Sequence, residues 1–114
     1  MVLIRILILT FFLSTIIADD FTNVTVLDIK FRSDMKRYMK RISKDLGVKC
    51  SYCHDMDDKS LDSEHKEIAR EMIILTRQIN NLLNAGKDST DVKTVITCWT
   101  CHKGDAHVQK ERPK

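Results

Sequence analysis

The sequence predicts a mostly α-helical fold: a small domain with two methionine-bearing helices, each followed by a short attachment segment. Three observations carry that reading. Apolar residues recur at helical spacing in two stretches, Met35, Met39, Ile42, Leu46 and Ile68, Met72, Leu75, Ile79, the second continued by Leu82 or Leu83. Start and stop residues bracket both stretches. A pentapeptide of the form Cys-x-x-Cys-His follows each, first as Cys50-Ser51-Tyr52-Cys53-His54 and then as Cys98-Trp99-Thr100-Cys101-His102.

That pentapeptide is the attachment signature of c-type haem. Two cysteines three apart can form thioethers with the two vinyl groups of one porphyrin, and the adjacent histidine reaches the iron from one face. The two copies use all four cysteines of the chain. Two covalently attached haem c groups are therefore expected, on Cys50 and Cys53 with His54, and on Cys98 and Cys101 with His102. A zinc site would also use paired cysteines, but it needs no histidine after each pair. Two disulfides would suit an exported chain and leave both histidines unexplained. A thioredoxin-like motif belongs in a βαβ setting, which the pattern lacks.

In chain order, residues 1–18 read as an export signal. Arg5 is their one charge, Ile6 to Ile17 is almost wholly apolar, and Ala18 precedes Asp19-Asp20. An uncleaved anchor is the alternative, although a bilayer span needs roughly 20 apolar residues. No cysteine follows the run to take a lipid. Residues 19–114 then form one dihaem domain, expected in the periplasm or on the outer face of the cytoplasmic membrane.

Asp19 to Asp28 is expected to be extended or irregular. Asp28 or Ser33 would cap the first helix, and Gly47 would end it as a left-handed cap. Asp55 to Asp62 is an acidic loop without the glycine and terminal glutamate of an EF-hand. Asp62 or Ser63 would cap the second helix, with Glu64 and Glu67 near its start, where the dipole favours them. Ile68, Met72, Leu75, Ile79 and Leu82 or Leu83 are expected to form its buried stripe, and Asn84-Ala85-Gly86 would end that helix. Val95, Ile96 and Thr97 lead into the second motif, and Lys103-Gly104 turns out of it.

The chain has 114 residues, enough for one domain, and a formal net charge of +3, which leaves no nucleic-acid footprint. Aromatics make up 6% of it, so the protein core is thin and porphyrin surface would supplement it. Lys36, Arg37, Lys40, Arg41, Lys44 and Lys49 cluster as a solvated basic face or a docking patch for an acidic redox partner.

The sixth ligand of each iron sets the chemistry. A thioether raises the potential relative to a second imidazole, whereas an open position would admit ligands or catalysis. Met35, Met39 and Met72 lie on helical apolar faces, where methionine also serves as core filling. His65 and His107 are spare imidazoles.

Met39 to His54 reads MKRISKDLGVKCSYCH, the second helix reads KEIAREMIILTRQIN, and the second motif reads VITCWTCHKG. From Phe31 to Gly104 this resembles the cytochrome subunit family of photosynthetic reaction centres. The most specific parts are Leu46-Gly47-Val48, Ala69 to Met72, Ile79-Asn80, and Cys98 to Gly104. Members of that family often carry four haems, and this chain has two motifs. The resemblance implies that a helix before each motif supplies the axial methionine: Met39 for the first haem, with Met35 as competitor, and Met72 for the second. It also implies electron transfer between redox partner proteins. The alternatives are a peroxidase-like dihaem enzyme with one open iron, and a haem-bearing subunit of a larger membrane complex or oligomer.

Overall fold

The computed structural model describes residues 19–108 and residue 111. The expected export segment, 1–18, lies outside the described residues. The elements in order are α1 (Arg32–Leu46), a single 3-10 turn (Cys50–Tyr52), α2 (Glu64–Leu83) and the short α3 (Cys98–His102). No strand occurs among the described residues, so the fold is mostly helical as expected.

Helix α1 begins after Phe31, which is extended and offers no side-chain cap. The expected cap at Asp28 or Ser33 is corrected: the carboxylate of Asp19 takes the Arg32 amide at 2.6 Å. A distant acid thus satisfies one of the free amides that every helix start exposes, and the charge also suits the dipole. Asp34 adds a second carboxylate in the first turn.

The helix ends at Gly47, whose φ of 64° is the left-handed conformation that glycine reaches without a Cβ clash. The Val48 amide donates back to Ser43 O at 3.0 Å. Gly47 is also a point of close approach. A Cβ on it would stand 2.1 Å from the carbonyl oxygen of Gly104. The Gly104 amide donates to Asp45 O at 2.9 Å, joining the end of α1 to the exit of α3.

Helix α2 is capped by Ser63, as the sequence suggested. Its hydroxyl accepts from the Lys66 amide at 3.2 Å and donates to Cys53 O at 2.6 Å. One side chain thereby starts the helix and ties it to the first motif. Glu64 and Glu67 occupy the first turn, and Asn84 closes the last.

Residues 19–31 run as an irregular strap over α2 and its preceding loop. Asn23 donates to Ser60 O at 2.6 Å and to the Asp62 carboxylate at 2.8 Å. Arg77 donates to Val26 O at 2.6 Å.

No described residue is buried. The apolar stripe of α2 was expected to be buried, and this is corrected: Ile68, Met72 and Leu75 are 47%, 39% and 45% exposed. The half-buried positions of α2 run instead through Ala69, Ile73, Thr76 and Asn80. Of the stripe, Ile68 and Met72 border a hollow instead of a second apolar layer.

Candidate cofactor site

The first motif folds as a tight turn in which the Cys53 and His54 amides both donate to Cys50 O, at 3.3 and 3.0 Å. The second folds as α3, started by a reciprocal capping box between Thr97 and Thr100 and ended by Lys103 at φ 51°. Both foldings bring two cysteines and a histidine onto one turn of backbone.

Each motif histidine is oriented through Nδ1. That of His54 meets Lys59 O at 3.2 Å, and that of His102 meets Asp105 O at 2.9 Å. A carbonyl oxygen only accepts, so Nδ1 carries the proton and Nε2 keeps its lone pair. This is the tautomer a metal-ligating imidazole needs, with its orientation fixed by the second bond.

Helices α1 and α2 and both motifs border a hollow of about 210 Å³ that is open to solvent. Ile42 and Leu46 line it from α1, and Ile68, Met72 and Ile73 from α2. Cys53, Cys98 and His102 open into it from the two motifs. A second hollow of about 290 Å³ lies beside Cys53 and His54, bounded by Leu61, Asp62 and Ser63. The structure therefore gathers Met72, Cys98 and His102 around one space, and sets Cys53 at the border of both. Met35 and Met39 are half-buried on α1 and line neither hollow. His65 and His107 do line the first, and His65 stacks on Tyr52 with ring centroids 4.0 Å apart.

All four cysteines are free, and no disulfide joins the pairs. Among the described residues no three His, Cys, Asp or Glu side chains converge as a metal cluster, so the two pairs do not meet as a zinc site. Burial pushes the Cys53 thiol up, and burial with the Asp45 carboxylate pushes Cys98 up. Burial, then Cys98, raises Tyr38, while Arg77 and Arg41 oppose the shift. Tyr38 and Asp45 thus face Cys98, and α1 packs on the second motif. The linear order of the sequence had suggested the first.

The residues fit a large planar apolar group with two covalent tethers per copy. The hollow has apolar walls, free thiols at its rim and histidines with Nε2 available. No side chain is buried among the described residues, so apolar burial there is thin, and such a group would supply further surface.

Two features that hold the site were missed by sequence reasoning. Asn80 pairs with both backbone groups of Ile96, and Asn84 pairs likewise with Thr94. Their spacing of four on α2 is the signal that was present: two side-chain amides on one helix face, used to grip the segment before α3. The other is Lys66, whose ammonium reaches three carbonyls of the acidic loop. Nothing in its spacing distinguishes it from a solvated lysine.

A family model described as "Photosynthetic reaction centre cytochrome C subunit" matches residues 14–111. A photosynthetic reaction center cytochrome c subunit of Roseobacter denitrificans is 33% identical over 101 residues, covering 82% of this chain and 26% of the relative. The chain therefore spans about a quarter of the length of that curated relative.

Proposed function

The chain belongs to the photosynthetic reaction centre cytochrome c subunit family, and on that premise we propose that it is a dihaem electron-transfer cytochrome outside the cytoplasmic membrane. Membership implies covalently bound haem c. The number two is our own reading of the two pentapeptides. Cys50 and Cys53 tether one haem and Cys98 and Cys101 the other. His54 and His102 each present Nε2 to an iron. When bound, each haem supplies a one-electron ferrous–ferric couple whose potential follows its axial ligands and surroundings.

The observation that carries the proposal is the hollow into which both motifs open, with Met72 and His102 on its walls. Met72 is the sixth ligand we assign to the second iron, and Met39 the one for the first. Family resemblance supports Met39. Met35 competes with it on the same helix. His65 and His107 are the imidazole alternatives, since both border the hollow that Met72 and His102 line.

The remaining residues would shield and fix the bound groups. Ile42, Leu46, Ile68 and Ile73 would pack on the porphyrin and limit water there, which would favour the less charged ferrous form. The carbonyls of Lys59 and Asp105 hold the imidazoles, so little rearranges when an electron arrives or leaves. With Met39 and Met72 in these roles neither iron would keep an open position, and the chain would be a carrier and not an enzyme.

Residues 1–18 serve as an export signal or an anchor in this account, and residues 19–114 form the haem-bearing domain. Its partners are redox proteins, free or within a membrane complex, and nucleic acid is not among them. A potentiometric titration tests the function. Two reversible one-electron transitions per polypeptide are expected, and a chain with no such transition would refute it.

A further inference from the structure

The two motif histidines are held by carbonyls of different character. Asp105 O receives His102 alone, with no cation on it among the described residues. Lys59 O receives the Nδ1 proton of His54 at 3.2 Å and also the ammonium of Lys66 at 3.2 Å. The same ammonium donates to Ser60 O and Leu61 O, both at 2.8 Å, and stands 3.4 Å from the Asp62 carboxylate. Its side chain is only 11% exposed, so it is held inside the loop and not left in solvent. Every one of these acceptors lies in the stretch that runs from His54 to α2.

We infer that Lys66 is a positioning and tuning residue for the first iron, acting through Lys59 O on the imidazole of His54. The inference rests on the dihaem reading and adds to it a cause for the two haems to differ. Two physical effects point the same way. A carbonyl that already accepts from a cation is a weaker acceptor for the Nδ1 proton. The imidazole is then less anionic and donates less to iron, which disfavours the ferric form. A fixed positive charge near the site also disfavours ferric iron directly. Lys66 therefore raises the potential of the first haem, and His102 has no such support. Its carboxylate neighbour Asp62 does not cancel this, because Asp62 is shared with Arg70 at 2.7 Å and is 45% exposed.

The test is potentiometry of the whole dihaem protein with Lys66→Met, Lys66→Gln and Lys66→Arg. The first haem is assigned by its absence from a Cys50→Ala/Cys53→Ala variant. In Lys66→Met the ferrous-to-ferric ratio of the first haem at fixed ambient potential should fall about tenfold, which is 59 mV for a one-electron couple. The second haem should not move, and Lys66→Arg should restore the first. Unchanged potentials, or a fall of both haems together, overturn the assignment. Loss of the first haem from both neutral variants while Lys66→Arg keeps it supports the assignment, and its loss from Lys66→Arg as well overturns it. A native chain that carries no haem refutes the proposed function itself, an outcome distinct from a dihaem chain indifferent to Lys66.

Discussion

Asn80 holds the backbone of Ile96 with both ends of its side-chain amide. Its Nδ2 donates to Ile96 O at 2.8 Å, and its Oδ1 accepts from Ile96 N at 2.7 Å. The pairing imitates one rung of a β-ladder, built between a helix and an irregular segment. It fixes where Thr97 starts α3, and so where Cys98 and His102 face the hollow. Asn84 repeats the grip on Thr94 one helical turn later, at 2.7 and 3.0 Å.

Asn80→Ala should therefore destabilise the holoprotein by about 1–3 kcal/mol, the cost of leaving a partly buried amide and carbonyl unpaired. Asn80→Asp keeps the acceptor but opposes a carboxylate to Ile96 O, and should also cost stability. Asn84→Ala should cost less, because its bonds to Thr94 are exposed. Urea unfolding checks the order. An Asn80→Ala protein as stable as the native one would show that the clamp holds nothing.

The helices and their ends were legible in the sequence because capping and periodicity are local. Ser63 and Gly47 were readable from neighbours within a turn or two. The start of α1 was not, because its cap is Asp19, whose proximity depends on how residues 19–31 fold back. The assignment of a stripe as buried also failed on a non-local cause. Ile68 and Met72 border a hollow shared by four segments, and spacing along one helix cannot report what stands opposite. The cysteines and histidines of the site were legible as motifs. The carbonyls that orient the histidines and the lysine behind one of them were not, since backbone groups and single lysines leave no pattern in sequence.

Asp62 should make stability depend on acid. Hydrogen bonds from Arg70, Asn23 and Lys66 hold its carboxyl below the ordinary carboxylate value, with Arg70 the largest cause. A folded value below the unfolded one means that the stabilisation is present above about pH 3.9 and is lost as pH falls through the lowered folded value. Asp62→Asn should flatten this acid limb in a plot of Tm against pH. The limb should shrink without vanishing, because Asp55, Asp58 and Asp88 are lowered as well. An unchanged limb in Asp62→Asn would remove Asp62 from the account.

Met72→Leu and Met39→Leu separate ligand from packing. Each keeps volume and apolar character, so a merely packed methionine should cost less than about 1.5 kcal/mol and leave the spectrum intact. Loss of a ligand should abolish the thioether-to-iron band of one haem, lower its potential and let carbon monoxide bind. We expect Met72→Leu to disturb only the second haem and Met39→Leu only the first. If Met35→Leu disturbs the first haem and Met39→Leu does not, the ligand on α1 is Met35. If neither does, His65 or His107 becomes the sixth ligand to test.

The claim on which all of this depends is that Cys50, Cys53, Cys98 and Cys101 each carry a thioether. Intact mass spectrometry of the protein from its native host measures it most directly, with acid-acetone treatment beforehand to strip any haem not covalently held. The account predicts a mass above that of the mature polypeptide by two haems, unchanged by the extraction. A bare polypeptide, or one that retains a single haem, would contradict it.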